Sequence, residues 1–273
     1  MDCKIIFSDV DGTLLNGERT ISESTIYEVN RLKDTVPFIL VSSRMPRQMR
    51  YLQNLLKTID YPMIAYNGAL VLSDDGQVLH STEIDITLVE QIVQLNEQQF
   101  NGKIHISLYH NDLWYVPDYD FWAQREENNT KTTPEIRSNS QVITDWKEQN
   151  IGAHKIMLMG DAMLIEEMFT ILNSQFGQNL HIYRAKDTYI EVSDLKVSKL
   201  TGIRVLLEHK YPFTLDESMA FGDNYNDLEM LQGVKYGIAV GNARQEVKKI
   251  AYGVTFHHKE DGVARYLASF FHS

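Results

Sequence analysis

Apolar residues along this chain follow two rhythms: short unbroken runs, and longer stretches where they recur every three or four positions. The first third alternates between them. "CKIIFS" (Cys3–Ser8) reads as a buried strand. "SESTIYEVNRLKD" follows as a helix, with Ile26, Val29 and Leu32 on one face and Ser22 as its N-cap. "VPFILVS" is a second strand, and "PRQMRYLQNLLKTI" a second helix begun by Pro46 near its first turn. "PMIAYNG" is a third strand. Apolar strands separated by amphipathic helices predict a parallel sheet covered on both faces.

The rhythm changes at "ALVLSDDGQVLHS", where apolar pieces flank Asp75-Gly76, a hairpin signal. A helix ("ITLVEQIVQLNEQQ"), a strand pair ("KIHISLYHNDLWYVP"), a polar stretch from Ala123 to Ser140, a strand ("HKIMLMG"), a helix ("AMLIEEMFTILNSQF") and strands "NLHIYRA" and "TYIEVSD" follow. The run "REENNTKTTPE" reads as a solvated loop. Strands joined by short turns predict an α+β domain inserted from about Glu83 to Asp187. From Ser198 the α/β alternation returns through "SKLTGIRVLLEH", "SMAFGD", "YNDLEMLQ", "YGIAV", "ARQEVKKIA" and "GVARYLASFF". The expected fold class is α/β: a Rossmann-like parallel-sheet core of residues 1–82 and 188–273, with the α+β domain of residues 83–187 inserted.

A chain of 273 residues, 43% of them hydrophobic, suits two domains or one large α/β unit. A net charge of −11 and a pI near 5.3 argue against nucleic acid or an anionic membrane as partner. A small anion would need a local positive site. Cys3 is the single cysteine, so no internal disulfide forms, and its apolar run predicts a buried thiol. The N-terminus has no secretory-signal pattern, and no segment reaches the roughly 20 apolar residues of a membrane span. A soluble, cytoplasmic protein is the expectation.

Chemistry-bearing residues gather where apolar strands end, the edge at which parallel α/β sheets bind ligands. "DVDGT" supplies Asp9 and Asp11, then Gly12 for a sharp turn and the Thr13 hydroxyl. "FGDNYNDLEML" places Asp223 at a strand end, with Asn226 and Asp227 in the turn that follows. An Asp-Gly turn and N-capping account for some of these residues. Together, three carboxylates at two strand ends read as a hard-cation site that suits Mg2+. An EF-hand does not fit, because Gly12 comes too early and Thr20 stands where the closing Glu would. No His/Cys set has zinc spacing, and the adjacent His257 and His258 read as surface residues. "ILVSSRM" adds Ser42, Ser43 and Arg44 beside a helix N-terminus, a place for an anion. Lys199 opens a helix, where a cation is disfavoured unless it faces an anion. GxxxxGK[ST], an early GxGxxG and GxSxG are absent from the sequence, so nucleophilic catalysis would fall to a carboxylate.

In this order and spacing the four stretches resemble the haloacid dehalogenase-like (HAD) phosphohydrolases, most closely the Cof-type branch with a large C2-type cap between the second and third motifs. "DVDGTL", "VSSR", Lys199 and "GDNYND" match the four motifs in turn. "YNGA" (Tyr66–Ala69), "AVGNA" (Ala239–Ala243) and "EDGVARYL" (Glu260–Leu267) look like that branch as well. The resemblance implies Asp9 as nucleophile, forming an aspartyl phosphate. It implies Asp11 as the residue that protonates the leaving alcohol and then deprotonates the attacking water. Mg2+ would be held by Asp9, the main-chain carbonyl of Asp11 and Asp223, with Asp227 supporting from behind. Ser42, Ser43, Asn226 and Lys199 would face the phosphoryl group, Arg44 would be a substrate contact, and the cap would select the substrate. General acid work asks that Asp11 have a raised pKa relative to Asp9.

Two positions depart from the family pattern. Ser42-Ser43-Arg44 stands where Thr-Gly-Arg is common, so Ser43 adds a donor or narrows the pocket. Leu200 follows the lysine where a small residue is usual. The function implied is a Mg2+-dependent phosphatase acting on small phosphorylated metabolites, sugar phosphates foremost, as a monomer or small homo-oligomer. A phosphomutase of the phosphomannomutase type and a non-catalytic phospho-ligand sensor are the alternatives. Tyr109, His110, Trp114 and Tyr115 have faces that suit sugar rings, but in a strand pair they are expected to pack.

Overall fold

The strands expected in the first third all form, and polar residues follow the ends of the first two. The computed structural model describes residues 2–271. In chain order the elements are β1 (Ile5–Ser8), α1 (Glu23–Leu32), β2 (Phe38–Val41), α2 (Arg47–Leu56), β3 (Met63–Ala65), β4 (Leu70–Leu72) and β5 (Val78–Ser81). Then come α3 (Ile86–Phe100), β6 (His105–His110), β7 (Leu113–Val116), α4 (Phe121–Thr130), β8 (Glu135–Ile136), α5 (Asn139–Gln149) and β9 (Lys155–Met159). They are followed by α6 (Ala162–Phe176), β10 (Leu180–Lys186) and β11 (Tyr189–Asp194). The chain finishes with α7 (Lys199–His209), β12 (Ser218–Gly222), α8 (Leu228–Gly233), β13 (Tyr236–Ala239), α9 (Gln245–Ile250), β14 (Gly253–Val254) and α10 (Gly262–Phe271). Contacts divide it into two units, Met1–His80 with Ser198–Ser273, and Ser81–Val197.

The first unit carries a sheet in the order β14-β13-β12-β1-β2-β3-β4-β5. Its strands run parallel from β14 to β3, and β4 turns back antiparallel on β3. The chain runs from β1 outward through β2 and β3 on one side, then returns to build β12 and β13 on the other. The switch point between β1 and β12 is where such sheets leave a crevice beyond their carboxyl ends. Register carries the consequence: Ser8 lies opposite both Leu40 and Phe221, so the residues that follow β1, β2 and β12 emerge side by side. Helix starts agree with the sequence pattern. The Ser22 hydroxyl accepts from Thr25 N, and Pro46, which has no N–H to leave unpaired, precedes α2.

The second unit is a six-stranded sheet, β10-β11-β9-β6-β7-β8, antiparallel except where β8 joins β7. Ile106, Leu108, Ile156, Leu158, Ile190 and Val192 form one core with apolar residues of α3, α5 and α6. Because β11 pairs with β9, the unit ends at Val197 rather than Asp187, which corrects the expected boundary. The run Arg125–Glu135, expected as a loop, begins inside α4, and the wider polar stretch from Ala123 reaches the first residues of α5. Asp120 caps α4 by accepting from Trp122 N and Ala123 N, and Ala123 and Thr130 are its only buried residues, so it has no apolar period to read. Ser138 caps α5, whose Val142, Ile143 and Trp146 are buried. Tyr115 lies in the helix-covered core, and Trp114 stacks on Tyr109 with centroids 5.7 Å apart, so these aromatics pack as expected. No helix among the described residues is long and apolar enough to cross a membrane.

A buried polar group holds one end of this second sheet. His110 Nδ1 donates to the Gly152 carbonyl, which leaves Nε2 to accept from the Asn111 amide. His154 Nδ1 accepts from the Asn111 backbone N–H, so Nε2 donates to the Ser81 hydroxyl. The Glu83 carboxylate accepts from Gly152 N at 2.6 Å. Glu83, His110 and His154 stand close enough to share a metal, but this pattern already occupies the ring nitrogens. Burial first, and the neighbouring His110 second, push the His154 pKa down from 6.5 to about 3. A histidine neutral in the fold and protonated when unfolded costs stability wherever the unfolded chain binds the extra proton. Stability should therefore fall as pH drops from about 6.5 toward 3. Melting temperature against pH will show that slope flattened in His154→Gln; an identical slope in the variant contradicts the assignment.

Candidate active site

Three strand ends supply the site. Asp9 follows β1, with its N–H donating to the Phe221 carbonyl, and Asp223 follows β12. Gly12 turns the chain away at φ +86, and a Cβ there would lie 2.6 Å from Asp223 Oδ2. Only a residue without a side chain lets the two segments come this close. Thr13 Oγ1 donates to Asp223 Oδ1 at 3.1 Å, and Asn242 Nδ2 donates to the Gly12 carbonyl at 2.7 Å. Asp227 turns back to its own strand end, where its Oδ2 accepts from the N–H groups of Asp223 (2.8 Å) and Asn224 (3.0 Å). Asp9, Asp223 and Asp227 each offer an oxygen within 4.8 Å of the others.

Lys199 answers part of that charge. It lies fully buried in the first turn of α7, and Nζ donates to Asp9 Oδ1 at 2.5 Å and to Asp227 Oδ1 at 2.6 Å. A cation disfavoured at a helix start is held here because two carboxylates face it. Burial alone would lower its pKa, but Asp227 and Asp9 overcome that and raise it well above the ordinary value. Leu200, the unusual residue beside it, is accommodated by Gly233: a Cβ there would meet the Leu200 methyl groups at 2.5 Å and 2.6 Å.

One ammonium among three carboxylates leaves negative charge in excess. Burial pushes the Asp9 pKa far up; Lys199 opposes that, while Asp227 and Asp223 add to it. Burial and Asp227 push Asp223 up to about 6. Asp9 Oδ2 is buried without a hydrogen-bond partner. An orphaned carboxylate oxygen beside two further carboxylates fits a hard divalent cation, whose charge would draw Asp9 and Asp223 back to the ionised form.

Asp11 lies apart from this cage and is half-exposed. Partial burial raises its pKa, but the hydrogen bonds and charge of Arg44, with Arg19 and Lys199, outweigh that and hold its carboxyl below the ordinary value. This reverses the expected order, in which Asp11 is raised relative to Asp9. Arg44 directs its fork at Asp11, with Nε on Oδ2 at 2.7 Å and Nη2 on Oδ1 at 2.8 Å. Ser42 is buried and its hydroxyl accepts from Arg44 N, while Ser43 is half-buried in the same bend. Asn226 Nδ2 donates to Asn67 Oδ1 at 3.1 Å, tying the β12 turn to the turn after β3. Arg19, Tyr51, Asn67 and Asn242 therefore join a site that the four motifs outline without them. Asn67 and Asn242 fall within "YNGA" and "AVGNA"; Arg19 and Tyr51 carry no signal in the chain.

A family model for haloacid dehalogenase-like hydrolases matches residues 6–267. The chain belongs to the haloacid dehalogenase-like hydrolases. A Haemophilus influenzae protein provisionally named as a phosphatase is 33% identical, over 96% of this chain and 95% of its own. The 5-amino-6-(5-phospho-D-ribitylamino)uracil phosphatase YitU of Bacillus subtilis is 30% identical, over 98% of this chain and 97% of its own. A crystal structure of a haloacid dehalogenase-like hydrolase from Bacteroides thetaiotaomicron superposes with a TM-score of 0.87 at 25% identity, covering 98% of this chain and all of that one. Within this hydrolase core, Lys199 has a structural consequence of its own. Lys199→Met leaves Asp9 and Asp227 buried without their counter-charge, which costs about 3–5 kcal/mol at neutral pH. Urea unfolding will measure that loss, and it should shrink at lower pH as Asp9, whose pKa is already raised, takes up a proton. A loss below about 1 kcal/mol contradicts the charge argument.

Proposed function

We propose that this hydrolase is a Mg2+-dependent phosphatase that cleaves small phosphorylated metabolites, sugar phosphates among them, through an aspartyl phosphate on Asp9. The observation that carries the reading is Asp9 Oδ2, a buried carboxylate oxygen without a partner, beside an ammonium and two further carboxylates. Asp9, Asp223 and the main-chain carbonyl of Asp11 would hold the cation, with Asp227 keeping Asp223 and Lys199 in place. When bound, Mg2+ supplies charge stabilisation to the phosphoryl oxygens.

The chain's own residues divide the rest of the work. The Asp9 carboxylate attacks phosphorus while the P–O bond to the alcohol breaks, and the alcohol oxygen takes a proton from Asp11. Water then attacks the acyl phosphate, Asp11 takes its proton back, and phosphate leaves with Asp9 restored. Lys199 offsets charge on Asp9, and Ser42, Ser43 and Asn226 orient the phosphoryl group. Relatives named as phosphatases support this reaction class, and one of those names specifies a phosphorylated metabolite. Choice among leaving groups is assigned to the inserted unit, as the Cof-type resemblance implies.

Asp9→Asn is expected to lower p-nitrophenyl phosphate hydrolysis on the order of 10³-fold or more, because the attacking group is lost. Retained activity in this variant rules out Asp9 as nucleophile. Chelation should abolish turnover and Mg2+ should restore it. Independently of turnover, Mg2+ should raise the melting temperature of the wild type and raise that of Asp223→Asn less. A melting temperature indifferent to Mg2+ at millimolar concentration removes the cation from the proposal.

A further inference from the structure

Asp11 is half-exposed, yet three donors fix its carboxylate. Arg44 Nε occupies one position on Oδ2, while Arg44 Nη2 (2.8 Å) and Arg19 Nη2 (3.1 Å) share Oδ1. A carboxylate has about four acceptor positions, so the remaining one lies on Oδ2. Arg44 is itself held: its side chain is 4% exposed, and Nη1 donates to Tyr51 Oη at 3.1 Å and to the Gln48 carbonyl at 3.4 Å. Its backbone N–H goes to Ser42 Oγ, and its carbonyl accepts from Tyr66 N. Tyr51 projects from α2, one turn beyond the helix start, so a rigid element stands behind the guanidinium.

We propose that Arg44, braced by Tyr51, is a positioning residue that turns Asp11 so that Oδ2 is the oxygen that exchanges the proton with leaving group and water. Arg19 shares in this by filling Oδ1. The inference rests on the phosphatase reading, and it moves Arg44 from substrate contact to orienter of Asp11. A point charge cannot replace the planar fork, because lysine offers no two parallel donors to the two oxygens.

The test compares two esters with Mg2+ present. p-Nitrophenolate leaves without a proton, whereas an alkoxide needs one, so loss of Asp11 alignment shows selectively on an alkyl ester. The alkyl ester is whichever of a panel of sugar and polyol phosphates the wild type hydrolyses fastest. Because kcat/KM covers the steps up to departure of the leaving group, its ratio between the two esters reads the alignment. Arg44→Lys should lower that ratio about tenfold and Tyr51→Phe about threefold, with KM little changed, a fraction of what general acid–base catalysis is worth. In an Asp11→Asn background neither substitution should move the ratio, since the residue they act through is gone. Tyr51→Phe removes one hydroxyl and keeps the ring, so it tests the point even if Arg44→Lys misfolds. Equal losses on both esters with a raised KM assign Arg44 to the substrate and overturn the inference. An unchanged ratio in both variants overturns it too. Failure of the wild type to hydrolyse either ester brings down the phosphatase reading and this inference together.

Discussion

One buried ammonium facing two buried carboxylates, with a third alongside, sets the terms for this site. Lys199 touches Asp9 and Asp227 and acts on Asp223 through its charge alone, without an ion pair. Removing charges from water is expensive, and an ion pair offsets that only when every partner is satisfied. Here satisfaction is incomplete by one oxygen, Asp9 Oδ2. The surrounding architecture keeps this unfinished arrangement from relaxing. Gly12 admits the Asp223 carboxylate, two backbone N–H groups pin Asp227, and Leu200 packs where Gly233 leaves room. Local incompleteness held by a rigid frame is what a ligand site requires.

Asp9 and Asp11 sit two residues apart yet experience opposite surroundings. Burial and neighbouring carboxylates push Asp9 toward its neutral form, whereas two guanidiniums keep Asp11 ionised. The pair is therefore arranged opposite to the order that the proposed nucleophile and acid require. A divalent ion in the carboxylate cage would pull Asp9 down strongly, because it adds the missing charge where Oδ2 is bare. Asp11 would feel the same ion less through its side chain, which is committed to Arg44 and Arg19. On the proposed reading, a cation in the cage would set the proton ordering of the two residues together with the chain.

What the sequence made legible follows from locality. β1, β2 and β12 announce themselves as unbroken apolar runs, and the polar residues that end them are adjacent in sequence, so Asp9, Ser42 and Asp223 could be placed at one sheet edge. Lys199 was readable because it stands at a helix start, where a bare cation is out of place. The Asp11–Arg44 fork was not, since it joins residues 33 positions apart through side-chain geometry that no periodicity encodes. Arg19 lies in a turn at φ +59, and nothing in "NGERT" says which way its guanidinium points. Helix α4 escaped notice for a related reason: its stability comes from the Asp120 cap and two buried positions, not from an apolar face.

Two clusters of possible metal ligands among the described residues show why proximity alone does not define a metal site. Glu83, His110 and His154 approach one another as closely as the aspartates do. In that cluster, however, a carbonyl, an asparagine and a serine hydroxyl take up the ring nitrogens, and a backbone N–H takes the carboxylate. A cation there would have to displace hydrogen bonds that already satisfy buried groups, at a cost of roughly 1–3 kcal/mol for each group left unpaired. In the aspartate cage the reverse holds, because an incoming cation finds an oxygen with nothing to give up. The difference lies in the pairing of the atoms, not in the residue types: the first cluster is already satisfied by hydrogen bonds, and the second is left able to take a cation.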